Sequence, residues 1–193
     1  LRATAPRALQ RRRQLRDALK LRCGRFELNL ERPLVMGVLN VTPDSFSDGG
    51  RFLDRDAAVA HARRMVEEGA DIVDIGAEST RPGAQAVTED EELRRLMPVL
   101  EALADLSSPI SVDTRRVRVM REALAAGASM INDVQALQAL GALETVAASD
   151  CAVCLMHMQG EPGTMQKNPQ YRDVVSEVGE FLASRIAVVQ AAG

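Results

Sequence analysis

Several polar residues along this chain have types and positions suited to hydrogen bonding and charge recognition at a site. Asn40 offers a carbonyl oxygen and an amide NH₂ at the end of an apolar run. Thr80 and Arg81 place a hydroxyl beside a guanidinium, both matched to phosphate oxygens, and Gly83 permits tight turning just beyond them. Asp113 is a charged acceptor and Asn132 both donor and acceptor. Each of these also has a plainer reading: Asn40 as a turn residue, Thr80-Arg81 as a surface turn, and Asp113 as the N-cap of a following helix. His157 reads first as a structural histidine and His61 as a solvated one. Cys151 and Cys154 have the spacing of a metal or redox pair, but residues three apart in a strand point to opposite faces, so the two thiols are not expected to share an ion.

The elements that must hold these groups are legible as repetition. Short apolar runs at 34–39, 72–75, 110–112, 130–131 and 152–156 alternate with longer amphipathic stretches. The runs read as continuously apolar, which suits strands buried on both faces of a parallel sheet. Between them, Leu93, Leu96, Met97, Leu100 and Leu103 share one helical face, with Thr88 and Glu91 forming a capping-box start and Pro98 marking a kink or a displaced start. Val117, Met120 and Leu124 mark another helix, and Val174, Val178, Phe181, Leu182 and Ile186 a last one. Strand followed by helix, repeated, predicts right-handed βαβ units of an α/β protein. A barrel and a doubly wound sheet both use them. The polar residues favour the barrel: Asn40, Ser79-Thr80-Arg81, Asp113-Thr114, Asn132-Asp133 and His157 each fall at or just past a strand's C-terminal end, whereas a doubly wound sheet gathers its site near one switch point.

Composition limits the class. The chain has 193 residues, 46% apolar and 26% charged, with four Phe, one Tyr and no Trp, so aliphatic side chains must fill the core of a globular domain. Three cysteines supply no disulfide framework, no run approaches the length of a membrane helix, and no signal-type segment follows the basic start, so a soluble, cytoplasmic protein is expected. Residues 1–25 carry a net +8 and the rest −11. The expected organisation is a basic arm and lead-in segment over 1–32, read as a solvated helix over its first 25 residues, and a barrel domain over 33–193.

Five stretches then resemble the dihydropteroate synthase family in order and spacing. Gly37-Val38-Leu39-Asn40-Val41-Thr42-Pro43-Asp44-Ser45-Phe46-Ser47-Asp48-Gly49-Gly50 is similar to the family's first signature, and Asp74-Ile75-Gly76-Ala77-Glu78-Ser79-Thr80-Arg81-Pro82-Gly83 to its second. Ile110-Ser111-Val112-Asp113-Thr114, Ile131-Asn132-Asp133-Val134 and Leu155-Met156-His157-Met158-Gln159-Gly160 follow. Ala77 departs from the family, which usually has a second glycine there. The family's later Asp-Pro-Gly, Ser-Arg-Lys and Arg-x-His motifs have no counterpart.

The resemblance implies a (β/α)8 TIM barrel with about five β/α units in this chain, truncated before strand six. It implies a transferase of folate biosynthesis that condenses 6-hydroxymethyl-7,8-dihydropterin diphosphate with p-aminobenzoate to give 7,8-dihydropteroate and diphosphate. Asn40 is then the Mg²⁺ ligand. Asn40, Asp44, Thr80 and Arg81 serve the chemistry, with Asp44 stabilising positive charge at the reacting carbon. Thr80, Asp113, Asn132 and Met156 bind the pterin diphosphate, with Asp113 and Asn132 reading its amino-pyrimidinone edge and Met156 packing on the ring. Pro43 and Phe46 lie in the loop that helps form the p-aminobenzoate pocket. A homodimer at full length is expected, with no nucleic-acid or membrane partner, and the fragment by itself is expected to be inactive. The rival readings are an inactive pterin-binding or scaffold module and a pterin-dependent methyltransferase. Asp74 stays between a structural and a functional role.

Overall fold

In the computed structural model, the described residues are 20–41, 50–78 and 87–193, with backbone alone for 50–54. Strands β1 (Lys20–Cys23) and β2 (Phe26–Asn29) form an antiparallel hairpin. Five parallel strands follow, β3 (Met36–Asn40), β4 (Ile72–Gly76), β5 (Ile110–Asp113), β6 (Met130–Asp133) and β7 (Ala152–Leu155), hydrogen-bonded in sequence order. Helices α1 (Gly50–Glu67), α2 (Glu89–Ala102), α3 (Val117–Ala125) and α4 (Ala142–Ala147) connect consecutive strands, and α5 (Val174–Ala192) follows β7. Sequential pairing of parallel strands with a helix in every crossover is the order of a (β/α)8 barrel, of which these are five units. No helix among the described residues is long and apolar enough to cross a membrane.

The strands are less uniformly apolar than their sequence suggests. Leu39, Val73, Ile75, Ile110, Val112 and Ile131 turn toward the helices and form the main core with Ala58, Ala62, Leu96, Leu100 and Met120. Residues of the other parity face the interior of the sheet's curve, and there Asp74 and Ser111 are buried while Asp113 and Asn132 are half-buried. Because side chains alternate along a strand, one short run carries an apolar face and a polar one.

Local signals explain where the helices begin and end. Thr88 caps α2, its hydroxyl accepting from the Glu91 amide at 3.2 Å, while the Glu91 carboxylate pairs with Arg94 and Arg95. Pro98 lies inside α2, settling the choice between an internal position and a displaced start. Gly69 and Gly127 take φ of +104° and +100° just past α1 and α3. Ala70 N donates to Met65 O at 2.8 Å and Ala128 N to Ala123 O at 3.0 Å, the six-to-one bond of a Schellman ending. That ending satisfies orphan carbonyls and turns the chain directly into the next strand.

The hairpin corrects the helical expectation for residues 20–25. Leu21, Cys23, Phe26 and Leu28 alternate with polar residues across a two-residue loop at Gly24-Arg25, a period of two rather than 3.6. Cys23 is fully buried with Ile72, Met130 and Ala152 on the interior face, with Leu21, Phe26, Leu28 and Met36 packed around them. Gly24 N donates to Asp150 O at 2.8 Å, tying the turn to the start of β7. The hairpin therefore packs against interior-facing side chains below the polar ones.

Candidate active site

Strand register assembles the site. Asn40 pairs with Gly76, Gly76 with Asp113, Asp113 with Asn132, and Asn132 with Cys154, so one row crosses all five strands near their C-terminal ends. Paired residues share a face, so the row's side chains point into the interior. Gly76 keeps the row open: a Cβ there would lie 3.5 Å from Asp113 Cβ, 3.6 Å from Asp113 Oδ2 and 3.9 Å from Asn40 Oδ1. Asn40 and Asp113, 73 positions apart in sequence, thus flank the same bare backbone.

Two residues below, Val38, Asp74, Ser111, Met130 and Ala152 form a second row. Asn132 Nδ2 donates to Asp74 Oδ2 at 3.2 Å and joins the rows. Asp74 Oδ1 and Ser111 Oγ are buried and have no hydrogen-bond partner among the described residues. Buried polar atoms are nearly always paired, so these two, side by side in register, leave hydrogen-bonding capacity that a bound molecule or water fills. Asp74, undecided in the sequence, therefore belongs to the interior polar set.

Electrostatics set the protonation of the site. Burial, then the carboxylates of Asp74, Glu92, Asp133 and Glu78, push Asp113 up to about 7. Its carboxyl is poised to exchange a proton near neutrality. Asp113 is not the N-cap of α3; Arg116 occupies that position, and its amide donates to Thr114 Oγ1 at 3.2 Å. Asp133 is fully buried, accepts from Gln135 N at 2.8 Å and Leu137 N at 2.7 Å, and is raised above the usual carboxylate range by desolvation. It shapes the turn after β6, in which Ala136 and Leu137 adopt φ of +53° and +57°.

Met156 follows β7 directly and is half-buried, its amide donating to Asp133 O at 3.4 Å. His157 packs edge-on against Phe181 at 5.0 Å between centroids and lies 5.8 Å from Tyr171, in keeping with a structural histidine. Cys151 Sγ lies 4.0 Å from Val146 O on the helix side, whereas Cys154 belongs to the interior row, so the pair is divided between faces. Pro43, Asp44, Phe46, Thr80 and Arg81 lie outside the described residues.

Among the described residues no three His, Cys, Asp or Glu side chains surround one point in a way that could hold a metal ion. Asn40 at the exposed end of β3 fits a different design, a single hard-oxygen ligand to Mg²⁺ with substrate phosphates and waters completing the shell.

Sequence reasoning missed a further cluster beside the row. Arg116 Nη1 donates to Glu78 Oε2 at 2.9 Å and Nη2 to Glu78 Oε1 at 3.2 Å, and the same guanidinium donates to Glu92 Oε2 and the Val87 carbonyl. Glu92 is almost completely buried, and desolvation raises its pKa, opposed by the Thr114 hydroxyl and by Arg116. The available signal was Glu92 itself, placed one position before the apolar stripe of α2 that begins at Leu93.

Sequence and structural similarity place the chain in one family. The family described as pterin binding enzyme matches residues 36–193. A dihydropteroate synthase of Neisseria meningitidis serogroup B is 53% identical over 173 residues, which are 88% of this chain and 61% of that protein. A dihydropteroate synthase of Xanthomonas albilineans, solved with 4-aminobenzoic acid, superposes with a TM-score of 0.82 at 55% identity, covering 91% of this chain and 62% of that one. The Burkholderia cenocepacia enzyme, solved with 7,8-dihydropteroate, gives 0.79 at 51% identity, covering 90% and 59%. The chain therefore spans about three-fifths of the length of these relatives.

Proposed function

The chain belongs to the pterin binding enzyme family, and we propose that its protein is a dihydropteroate synthase of folate biosynthesis. The reaction joins 6-hydroxymethyl-7,8-dihydropterin diphosphate to p-aminobenzoate. The amine nitrogen bonds to the pterin methylene carbon, the carbon–oxygen bond to diphosphate breaks with its electron pair leaving on the diphosphate, and the amine loses one proton. The complexes of relatives with 7,8-dihydropteroate and with 4-aminobenzoic acid support this choice of substrates.

The observation that carries the reading is the interior row of Asn40, Gly76, Asp113 and Asn132 above the unpartnered Asp74 Oδ1 and Ser111 Oγ. A flat heterocycle with adjacent N–H donors and acceptors uses an acceptor carboxylate and an amide held at fixed spacing. Asp113 and Asn132, paired in register, have that chemistry, and Gly76 leaves room beside them. Met156 packs on the ring, and Asn40 would hold Mg²⁺, which would supply positive charge to neutralise the diphosphate as it leaves. Thr80 and Arg81 donate to phosphate oxygens, Asp44 stabilises positive charge at the methylene carbon, and Pro43 and Phe46 border the p-aminobenzoate. Excluding water there protects the electrophilic carbon from hydrolysis. A cytoplasmic homodimer at full length completes the reading.

The test supplies the full-length protein with the pterin diphosphate and Mg²⁺ and measures diphosphate release and 7,8-dihydropteroate with and without p-aminobenzoate. Release that depends on p-aminobenzoate supports the assignment. Binding of the pterin without release supports a binding module, and methyl transfer to a corrinoid with no diphosphate chemistry supports the methyltransferase; either overturns it.

A further inference from the structure

Asp74 and Asn132 are joined although their strands are not neighbours. β5 runs between β4 and β6, so the bond from Asn132 Nδ2 to Asp74 Oδ2 at 3.2 Å passes over β5. Two strand spacings separate the backbones by roughly 10 Å, and both side chains must lean across the interior to meet. They do so over the face that carries Ser111, the register partner of Asp74, and Asp113, the register partner of Asn132. Among the described residues this is the only hydrogen bond that either side chain forms. Asp74 is 4% exposed and Asn132 half-buried, so the pair has a closed end at the carboxylate and an open one at the carboxamide.

We infer that Asp74 is a positioning residue for the heterocycle: it holds the Asn132 carboxamide with its NH₂ turned toward β4, so that Asn132 presents its carbonyl oxygen Oδ1 to the ligand. The inference rests on the dihydropteroate synthase reading and adds to it a residue and a polarity. The two ends of a carboxamide have nearly the same shape, and hydrogen bonding decides which way they point. An ionised carboxylate accepts and has no hydrogen to give, so the end that Asn132 turns to Asp74 is its NH₂. The part of the heterocycle that meets Asn132 Oδ1 is accordingly an N–H, and a bare ring nitrogen at that place is disfavoured. Stability alone is a poor account of the pair. Asp133, which shapes a turn, has both oxygens bonded, to the Gln135 and Leu137 amides. Asp74 is almost as deeply buried, yet its Oδ1 has no partner among the described residues, an arrangement that costs folding free energy.

Exchanging the two residues tests the polarity. Asn132→Asp by itself sets two carboxylates face to face, which repel or must share a proton. Adding Asp74→Asn restores an NH₂-to-carboxylate bond with the partners exchanged, and an oxygen still faces the ligand. The experiment compares wild type, both single variants and the double variant at full length by calorimetry with 6-hydroxymethyl-7,8-dihydropterin, and records a melting curve for each protein. Asn132→Asp is expected to lose about ten- to a hundredfold in affinity. Asp74→Asn, which permits both orientations of Asn132, should lose about two- to fivefold, and the double variant should return to within about fivefold of wild type. NMR of the Asn132 carboxamide protons in the wild type, assigned through the backbone of that residue, gives a second readout: one proton should be shifted downfield by Asp74 and stay so with the pterin bound. If Asn132→Asp fails to fold, that signal carries the inference. A folded double variant that binds no better than Asn132→Asp, or a pterin that draws the Asn132 protons away from Asp74, overturns it while leaving the functional reading standing. A wild-type protein that binds no pterin overturns both.

Discussion

Replacing Asp113 by Asn is expected to stabilise the unliganded protein at alkaline pH while weakening its ligand. Asp113 sits among Asp74, Glu92, Asp133 and Glu78, and burial with those carboxylates raises it from 3.8 to about 7. For a carboxyl whose folded pKa is raised, the sign runs against stability as pH rises. Below about pH 4 it is protonated in both states and costs nothing. Between about 4 and 7 the unfolded chain releases the proton while the folded one retains it, so stability falls, and above 7 the penalty is constant. Roughly three pKa units at 1.36 kcal/mol each set a ceiling of about 4 kcal/mol. Asparagine keeps the shape and carries no charge, so the penalty is absent in the variant. Urea unfolding at pH 4 and pH 8 should show Asp113→Asn gaining about 2–4 kcal/mol on the parent between the two values. Glu92 and Asp133 are present in both proteins, and relief of their repulsion with an ionised Asp113 is part of the difference measured. In the same variant, loss of a charge-assisted bond to the pterin should weaken binding by about 1.5–3 kcal/mol, measured with the pterin lacking diphosphate. A stability difference independent of pH would refute the electrostatic account, and unchanged pterin affinity would refute the role in binding.

Other expectations follow from the same geometry. Asn40→Ala should reduce Mg²⁺-dependent binding of the pterin diphosphate more than binding of the bare pterin in parallel calorimetry; equal losses would point to general disruption of the β3 end. Gly76→Ala adds a methyl at ordinary contact distance, 3.6 Å from Asp113 Oδ2 and 3.9 Å from Asn40 Oδ1, so it should change stability by less than about 1 kcal/mol while lowering ligand affinity, and a variant that binds normally counts against occupation of this row. Asp133→Ala removes the acceptor for two amides at 2.8 and 2.7 Å, in a turn with two left-handed residues, and should cost about 2–4 kcal/mol by urea denaturation. A cost below about 0.5 kcal/mol would mean the turn holds its shape unaided.

Much of the architecture was written locally. Thr88 ahead of Glu91 starts α2, Gly69 and Gly127 end α1 and α3 in the one backbone region that favours glycine, and apolar runs between such signals mark strands. Asn40, Asp113 and Asn132 could be named as candidate site residues because each stands at the end of such a run, inside a long signature. The hairpin was legible as well, since Leu21, Cys23, Phe26 and Leu28 alternate around Gly24, but the basic charge of the surrounding segment pointed instead to a solvated arm.

What the sequence left open concerns faces and partners. Register decides that Asp74 lies one step below Asp113 on the same interior face, and burial, reinforced by four other carboxylates, pushes Asp113 up to about 7. Glu92 looks like a surface glutamate in a helical pattern until α2 packs on the sheet and Arg116, 24 positions later, meets it. Short-range signals specify backbone conformation because capping and periodicity act within a turn or two of chain. Desolvation and Coulomb interactions depend instead on which distant residues are brought together, so the protonation of Asp113 and the anchoring of Glu78 and Val87 exist only once the tertiary structure has formed.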